Sequence, residues 1–165
     1  MQKQPDGFTE IYRAQYPAVF RFALHMTGDE VKAAEVAQDV FVWLIDHENA
    51  FDPARGSLGA FLNGVTRKFL QRLYREEKRW VELDENISDP AIDEPVVDVD
   101  ALSLRAAIAL LPLHYREAVV LCDLEEKSYE EAAALLDCAV GTVRSRLHRA
   151  RALLIRKLTV EGCVA

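Results

Sequence analysis

The chain has 165 residues, half of them hydrophobic and 28% charged, with a formal net charge of −7. That length suits one or two small domains, each with a modest core, and no run of 18 apolar residues or leader pattern marks a membrane span or a signal peptide. Three cysteines without metal spacing (Cys122, Cys138 and Cys163) argue against a disulfide scaffold and fit a reducing compartment, so a soluble cytoplasmic protein is expected.

The first 80 residues read as three helices. From Phe8 to Met26, apolar residues recur at Phe8, Ile11, Tyr12, Tyr16, Val19, Phe20 and Ala23, and Gly28 marks the stop. Asp29 is placed to cap a second helix, VKAAEVAQDVFVWLIDH, with Val36, Val40, Trp43 and Leu44 along one face. FDPARGS (51–57) is a loop by its Pro and Gly, and Ser57 opens a long helix to about Trp80. On that helix Leu58, Leu62, Val65, Phe69 and Leu73 share a stripe, with Arg67, Lys68, Arg75 and Lys78 opposite.

The charge is unevenly distributed. Residues 1–80 hold 11 basic and 11 acidic groups, and 105–165 hold nine and eight, whereas 81–104 hold no basic group and eight acidic ones. With Pro90 and Pro95 and no clear period, residues 81–100 read as an acidic, extended linker between two helical domains, 1–80 and 101–165. The negative total therefore does not preclude contact with phosphates, which sense local basic patches within a Debye length.

Residues 128–157, SYEEAAALLDCAVGTVRSRLHRARALLIRK, carry the strongest signal. Ser128 and Glu131 have the S-x-x-E spacing of a capping box, and Ala132, Ala133, Leu135 and Leu136 give the following short helix an apolar side. Asp137 stands where the turn needs a residue tolerant of left-handed backbone. Val143, Leu147, Ala150, Leu154 and Leu158 then form one stripe about 80° wide at 100° per residue. Thr142, Ser145, Arg146 and Arg149 are expected on the opposite side, with Arg144, His148 and Arg151 on a flank. Six Lys/Arg and no acid lie between Thr142 and Lys157. This is a helix-turn-helix pattern with a basic second helix, suited to a DNA groove, where Arg pairs with guanine or phosphate and Ser/Thr reach either.

With AAEVAQDVFVWLI (33–45), FDPARGSLGAFLNGVTRKFLQRLYREEKR (51–79), LPLHYREAVVLCDLEEKSYEEAAALL (111–136) and VGTVRSRLHRARALL (140–154), the chain resembles the extracytoplasmic-function group of RNA polymerase sigma factors in the sigma-70 family. The resemblance implies an all-α fold of two small helical domains, a region 2 bundle and a region 4 helix-turn-helix, joined by the acidic linker. It implies docking of the second helix on the clamp helices of the largest subunit of core RNA polymerase, through Gln38, Asp39, Phe41 and Leu44. It further implies that the loop before residue 57 and the helix after it hold the −10 promoter element. His47, Glu48, Asn49 and Phe51 would sit at the captured base, and Arg67, Lys68, Arg72 and Arg75 on the phosphates. The −35 element would be read as duplex by Thr142, Arg144, Ser145, Arg146 and Arg149, and an anti-sigma factor would control the whole.

Five positions depart from that pattern. Leu62, Asn63 and Gly64 stand where aromatic and basic residues are frequent, Lys68 where Asn is, and Ala139 where a capping Ser or a Pro is. No nucleophile–base pair, metal cluster or phosphate loop is present, and the four histidines (25, 47, 114 and 148) are scattered, so no catalytic residue, metal or cofactor is assigned. The remaining alternatives are a sigma mimic that titrates an anti-sigma factor and a free-standing helix-turn-helix regulator, which ordinarily needs a dimer.

Overall fold

A computed structural model of the protein describes residues 5–78 and 101–162, all of whose regular elements are helical. They comprise α1 (Pro5–Thr27), α2 (Glu30–Asp46), α3 (Leu58–Lys78), α4 (Ala101–Ala109), α5 (Leu113–Val119), α6 (Tyr129–Leu136) and α7 (Val140–Gly162). The acidic linker expected at 81–100 and the thiol of Cys163 lie outside the described residues. The chain divides into two compact units, Met1–Leu73 and Tyr74–Ala165.

In the first unit α1 packs against α2 across a two-residue turn. Gly28 enters left-handed backbone at φ 66° and its N–H bonds the Leu24 carbonyl at 2.8 Å, closing α1. Asp29 follows in extended conformation, and its Oδ1 accepts from the amides of Val31 at 2.9 Å and Lys32 at 3.1 Å. Helix stop and helix start are thus built from adjacent residues, which forces the two helices to run back along one another. α2 buries Ala33, Val36, Ala37, Val40, Phe41 and Leu44, a spacing of three and one that makes a single seam. Val19, Phe22, Ala23 and Met26 of α1 fill the other side.

Ser57 caps α3 through its Oγ, which accepts from the Ala60 amide at 3.2 Å. The buried stripe of α3 is Leu62, Val65, Thr66 and Leu70, shifted from the expected one: Phe69 and Leu73 are only half-buried. Thr66 tolerates full burial because its hydroxyl donates to the Leu62 carbonyl at 2.7 Å, leaving no unmet donor.

In the second unit α7 packs against α4, α5 and α6. α5 runs without a break into a π-helical turn, Val120–Leu124, in which the Glu125 amide reaches the Val120 carbonyl at 2.8 Å. The core is Ile108, Leu111, Val119, Val120 and Leu121 against Val143, Leu147, Ala150 and Leu154 of α7. Arg116 is buried among them; its Nη2 donates to the Leu111 carbonyl at 2.9 Å, and burial holds its pKa below the usual guanidinium value.

Candidate nucleic-acid interface

The helix-turn-helix is built by local bonds that its sequence specifies. Ser128 Oγ accepts from the Glu131 amide at 3.1 Å while Glu131 Oε2 accepts from the Ser128 amide at 2.8 Å, a complete capping box. The Ser128 backbone N–H, donating to that carboxylate, does most to hold the Glu131 carboxyl below the ordinary carboxylate range, and the Ser128 side chain adds to it. α6 then stops at Asp137, which adopts φ 51° and ψ 52° as expected, with the Cys138 amide bonding back to the Ala133 carbonyl at 3.1 Å. α7 starts one residue past Ala139, whose carbonyl takes the Thr142 and Val143 amides but whose methyl group offers no acceptor for a free N–H.

α7 buries Val143, Leu147, Ala150 and Leu154 as expected, and Leu158 is half-buried. The opposite side differs in one respect from the expectation. Ser145 and Arg149 are exposed there together with Arg144, His148 and Arg151, whereas Thr142 and Arg146 are half-buried. Arg146 follows Val143 by three residues, about 300°, and so lies about 60° from Val143 and about 40° from the near edge of the buried stripe. The exposed face is centred on Ser145 and His148, flanked by Arg144 and Arg149; His148, left on a flank by the sequence argument, belongs at its centre. Ser145 Oγ donates to the Thr142 carbonyl at 3.0 Å, which leaves the hydroxyl oxygen outward as an acceptor. Arg144 lies over the Tyr129 ring with its guanidinium carbon 5.6 Å from the centroid, using its face and leaving its N–H edges for other partners. Arg151 forms a two-pronged pair with Asp123, Nε to Oδ2 at 3.1 Å and Nη2 to Oδ1 at 2.6 Å, and this bond raises its pKa.

In the first unit, residues 47–57 carry an aromatic group. His47 stacks on Trp43 with centroids 4.3 Å apart and 13° between planes, and its Nδ1 is 2.8 Å from the Trp43 carbonyl. Phe61 of α3 meets both Trp43, at 6.2 Å, and Phe51, at 5.5 Å. The loop is therefore tied at both ends to the helices that flank it, with Asp52 Oδ1 accepting from the Ala54 amide at 3.0 Å in a short 3-10 turn at Pro53–Arg55. His47, Glu48 and Asn49 are exposed and Phe51 is half-buried. On α3, Lys68, Arg72 and Arg75 are exposed along one edge, at spacings of four and three, and Arg67 is half-buried off that edge. Arg72 lies over Phe69 at 5.1 Å.

The candidate polymerase face is divided. Gln38 and Asp39 are exposed, but Phe41 is 3% exposed and Leu44 8%, both in the core of the first unit. Phe41 therefore packs α2 onto α1, against Phe8, Tyr12 and Tyr16, and Leu44 is likewise turned inward rather than facing a partner. The apolar groups that do stand outward beside Gln38 and Asp39 are Val42, 51% exposed, and Ile45, 43% exposed. Spacing alone could have found them: 38, 42 and 45 are one turn apart on the edge away from 33, 36, 40 and 44.

Cys122 and Cys138 are free, half-buried thiols, and burial raises the pKa of Cys122. Among the described residues no group of His, Cys, Asp and Glu could hold a metal ion, and no helix is long and apolar enough to cross a membrane.

Two stretches of the chain match two regions of one class of protein: residues 11–80 match the family described as Sigma-70 region 2, and residues 101–154 match Sigma-70, region 4. The chain is 31% identical over 160 residues to the ECF RNA polymerase sigma factor EcfG of Rhodopseudomonas palustris, spanning 95% of this chain and 88% of that protein. It is 29% identical over 147 residues to the ECF RNA polymerase sigma factor SigM of Bacillus subtilis, spanning 86% of this chain and 89% of that one. Its structure is similar to that of the sigma factor RpoE from Bartonella quintana, solved in complex with the anti-sigma factor NepR, with a TM-score of 0.71, 28% identity, and 93% and 98% of the two chains covered. The chain belongs to the ECF RNA polymerase sigma factors of the sigma-70 family.

Proposed function

We propose that this sigma factor brings core RNA polymerase to promoters through three surfaces, each on a different helix. Gln38, Asp39, Val42 and Ile45 on α2 dock on the clamp helices of the largest polymerase subunit. The 47–57 loop takes an unstacked base of the −10 element beside Asn49 and Phe51, while Lys68, Arg72 and Arg75, with Arg67 at their border, hold the strand's phosphates. The face of α7 centred on Ser145 and His148, with Arg144 and Arg149 at its sides and Thr142 and Arg146 at its border, enters the −35 duplex. Residues 1–80 and 101–165 act as the two promoter-binding domains, and 81–100 as the acidic tether that lets both engage one promoter.

The observation that carries this is the pair of exposed basic helix edges, one in each family region, in a chain whose overall charge is negative. The chain performs no bond chemistry of its own and works in the cytoplasm, where the polymerase is. An anti-sigma factor is its expected regulator, as NepR is the partner of the similar RpoE.

Run-off transcription with core polymerase on a library of upstream fragments tests the proposal. New start sites that share two motifs at fixed spacing are expected. Tight polymerase or anti-sigma binding without new starts points instead to a sigma mimic, and DNA binding without polymerase to an ordinary regulator.

A further inference from the structure

We infer that the Asp123–Arg151 pair is a positioning device that sets how α7 meets the −35 duplex, an inference that rests on the sigma-factor reading of α7. Arg151 lies on the basic helix, yet both prongs of its guanidinium are spent inside the protein, at 3.1 Å and 2.6 Å from the two oxygens of one carboxylate. For a surface that must attract phosphates this is a poor use of charge. Asp123 cancels one cation and places an anion beside the others, which lowers the attraction that a basic helix exists to provide. What a planar two-pronged pair supplies instead is geometry.

The position of the pair fits that role. The two residues are 28 apart in sequence, and the loop they close contains α6, the turn at Asp137 and the first half of α7. Asp123 lies within the π-helical turn Val120–Leu124, where the helix is locally widened, and such turns are frequent at functional sites. A second tether lies on the same edge of α7. Arg144 precedes Arg151 by seven residues, about two full turns, so the two guanidiniums emerge on one line about 10 Å apart along the axis. Arg144 rests on Tyr129, the first residue of α6. Two anchors on one edge fix both the tilt of α7 and its rotation about its own axis, and that rotation determines whether Ser145, His148 and Arg149 point at the groove. Asp123 and Arg151 are accordingly positioning residues, and neither has to touch DNA.

The test uses the full chain with core polymerase and four variants: Asp123→Arg, Arg151→Asp, the double exchange, and Asp123→Asn. Three quantities are read: run-off from a promoter with its −35 element relative to the same promoter with that element scrambled, association with core polymerase, and thermal melting. Each single charge reversal is expected to lower the −35 ratio about fivefold or more, and the double exchange to restore it to within about twofold of the wild type, with polymerase association unchanged throughout. If Asp123→Arg keeps or raises the ratio while Arg151→Asp and the double exchange lose it, Arg151 grips phosphate directly and the inference is overturned. Where the reversals lower the melting temperature, Asp123→Asn decides: a wild-type ratio in a chain that melts like the wild type also overturns it. A wild-type chain that shows no −35 dependence at all removes the reading of α7 itself, and this inference with it.

Discussion

Phe41 of α2 meets Tyr12 of α1 edge-on, with ring centroids 4.9 Å apart and 67° between planes, and the same ring also touches Phe8 and Tyr16. A residue so placed holds two helices together. Phe41→Ala is expected to destabilise the first unit by about 3–5 kcal/mol, as for other buried Phe truncations. Any loss of polymerase binding it causes would then follow from unfolding. Val42→Ala with Ile45→Ala, on the exposed edge, should leave melting nearly unchanged and weaken polymerase association at least tenfold. Circular dichroism melting beside a polymerase pull-down separates the two, and unaltered association in the Val42/Ile45 variant would move the docking face elsewhere.

The capping box at the start of α6 predicts a stability effect with a defined pH dependence. Ser128→Ala removes the acceptor for the Glu131 amide and should cost about 1 kcal/mol. Because the folded-state pKa of Glu131 lies below its unfolded value, its contribution is present above the unfolded pKa and is lost as pH falls through the folded one. Glu131→Gln should therefore differ most from the wild type at neutral pH and converge with it in acid. Melting at a series of pH values between neutrality and pH ~3 checks the sign; a difference that grows in acid contradicts it.

Much of this architecture is legible in the sequence because short-range chemistry sets it. Gly28 and Asp29, Ser57, Ser128 with Glu131, and Asp137 all do in the structure what their residue types and spacing imply. The errors come where the resemblance overrides spacing, or where a side chain's direction depends on what packs against it. On α2 the spacing already sets 38, 42 and 45 on the edge away from 33, 36, 40 and 44; the resemblance carries Phe41 and Leu44 to the polymerase face against that spacing, and the structure buries both while Val42 and Ile45 stay out. On α3 the packing ambiguity favoured Phe69 over Leu70 and missed Thr66, whose burial depends on a hydroxyl bond to Leu62 that residue type alone does not reveal. The Asp123–Arg151 pair was beyond reach because its partners are 28 residues apart and the π-helical turn that carries Asp123 leaves no periodic trace.

Gly64 sits within α3, between Leu62 and Val65 of the core stripe, and a Cβ built there meets no atom within 4 Å. A methyl group should therefore stabilise the helix without displacing anything. Gly64→Ala is expected to raise stability by about 0.5–1 kcal/mol, through reduced backbone freedom in the unfolded chain. If a flexible α3 helps the −10 strand to seat, the same variant will open promoters more slowly. Melting and permanganate footprinting of the open complex report the two effects, and a fall in melting temperature would contradict the first.

Asp137 holds left-handed backbone at φ 51°, a conformation that is strained for a residue with a Cβ. Asp137→Gly is expected to stabilise the second unit by about 1 kcal/mol, while a β-branched residue there, as in Asp137→Val, should destabilise it by at least as much. Denaturant titration of the two variants gives the order; equal midpoints would mean that the turn relaxes to a different conformation.

The centre of the exposed face of α7, rather than its border, should dominate recognition. Arg149 is exposed there and Arg146 is half-buried beside the apolar stripe. Arg149→Ala is expected to lower −35-dependent transcription by about 1–3 kcal/mol if it reads a base, with the loss confined to one promoter position. If it grips a phosphate, the loss is uniform across sequences and the slope of log affinity against log salt falls by about 1. Arg146→Ala should show the smaller transcriptional effect and the larger fall in melting temperature, because its stem covers part of the core edge. His148→Ala, at the centre of the face, should lose −35 discrimination without loss of stability. Holoenzyme binding to matched and single-position variant promoters at several salt concentrations resolves these cases, and an Arg146 effect larger than that of Arg149 would show that the helix enters DNA by its border rather than its centre.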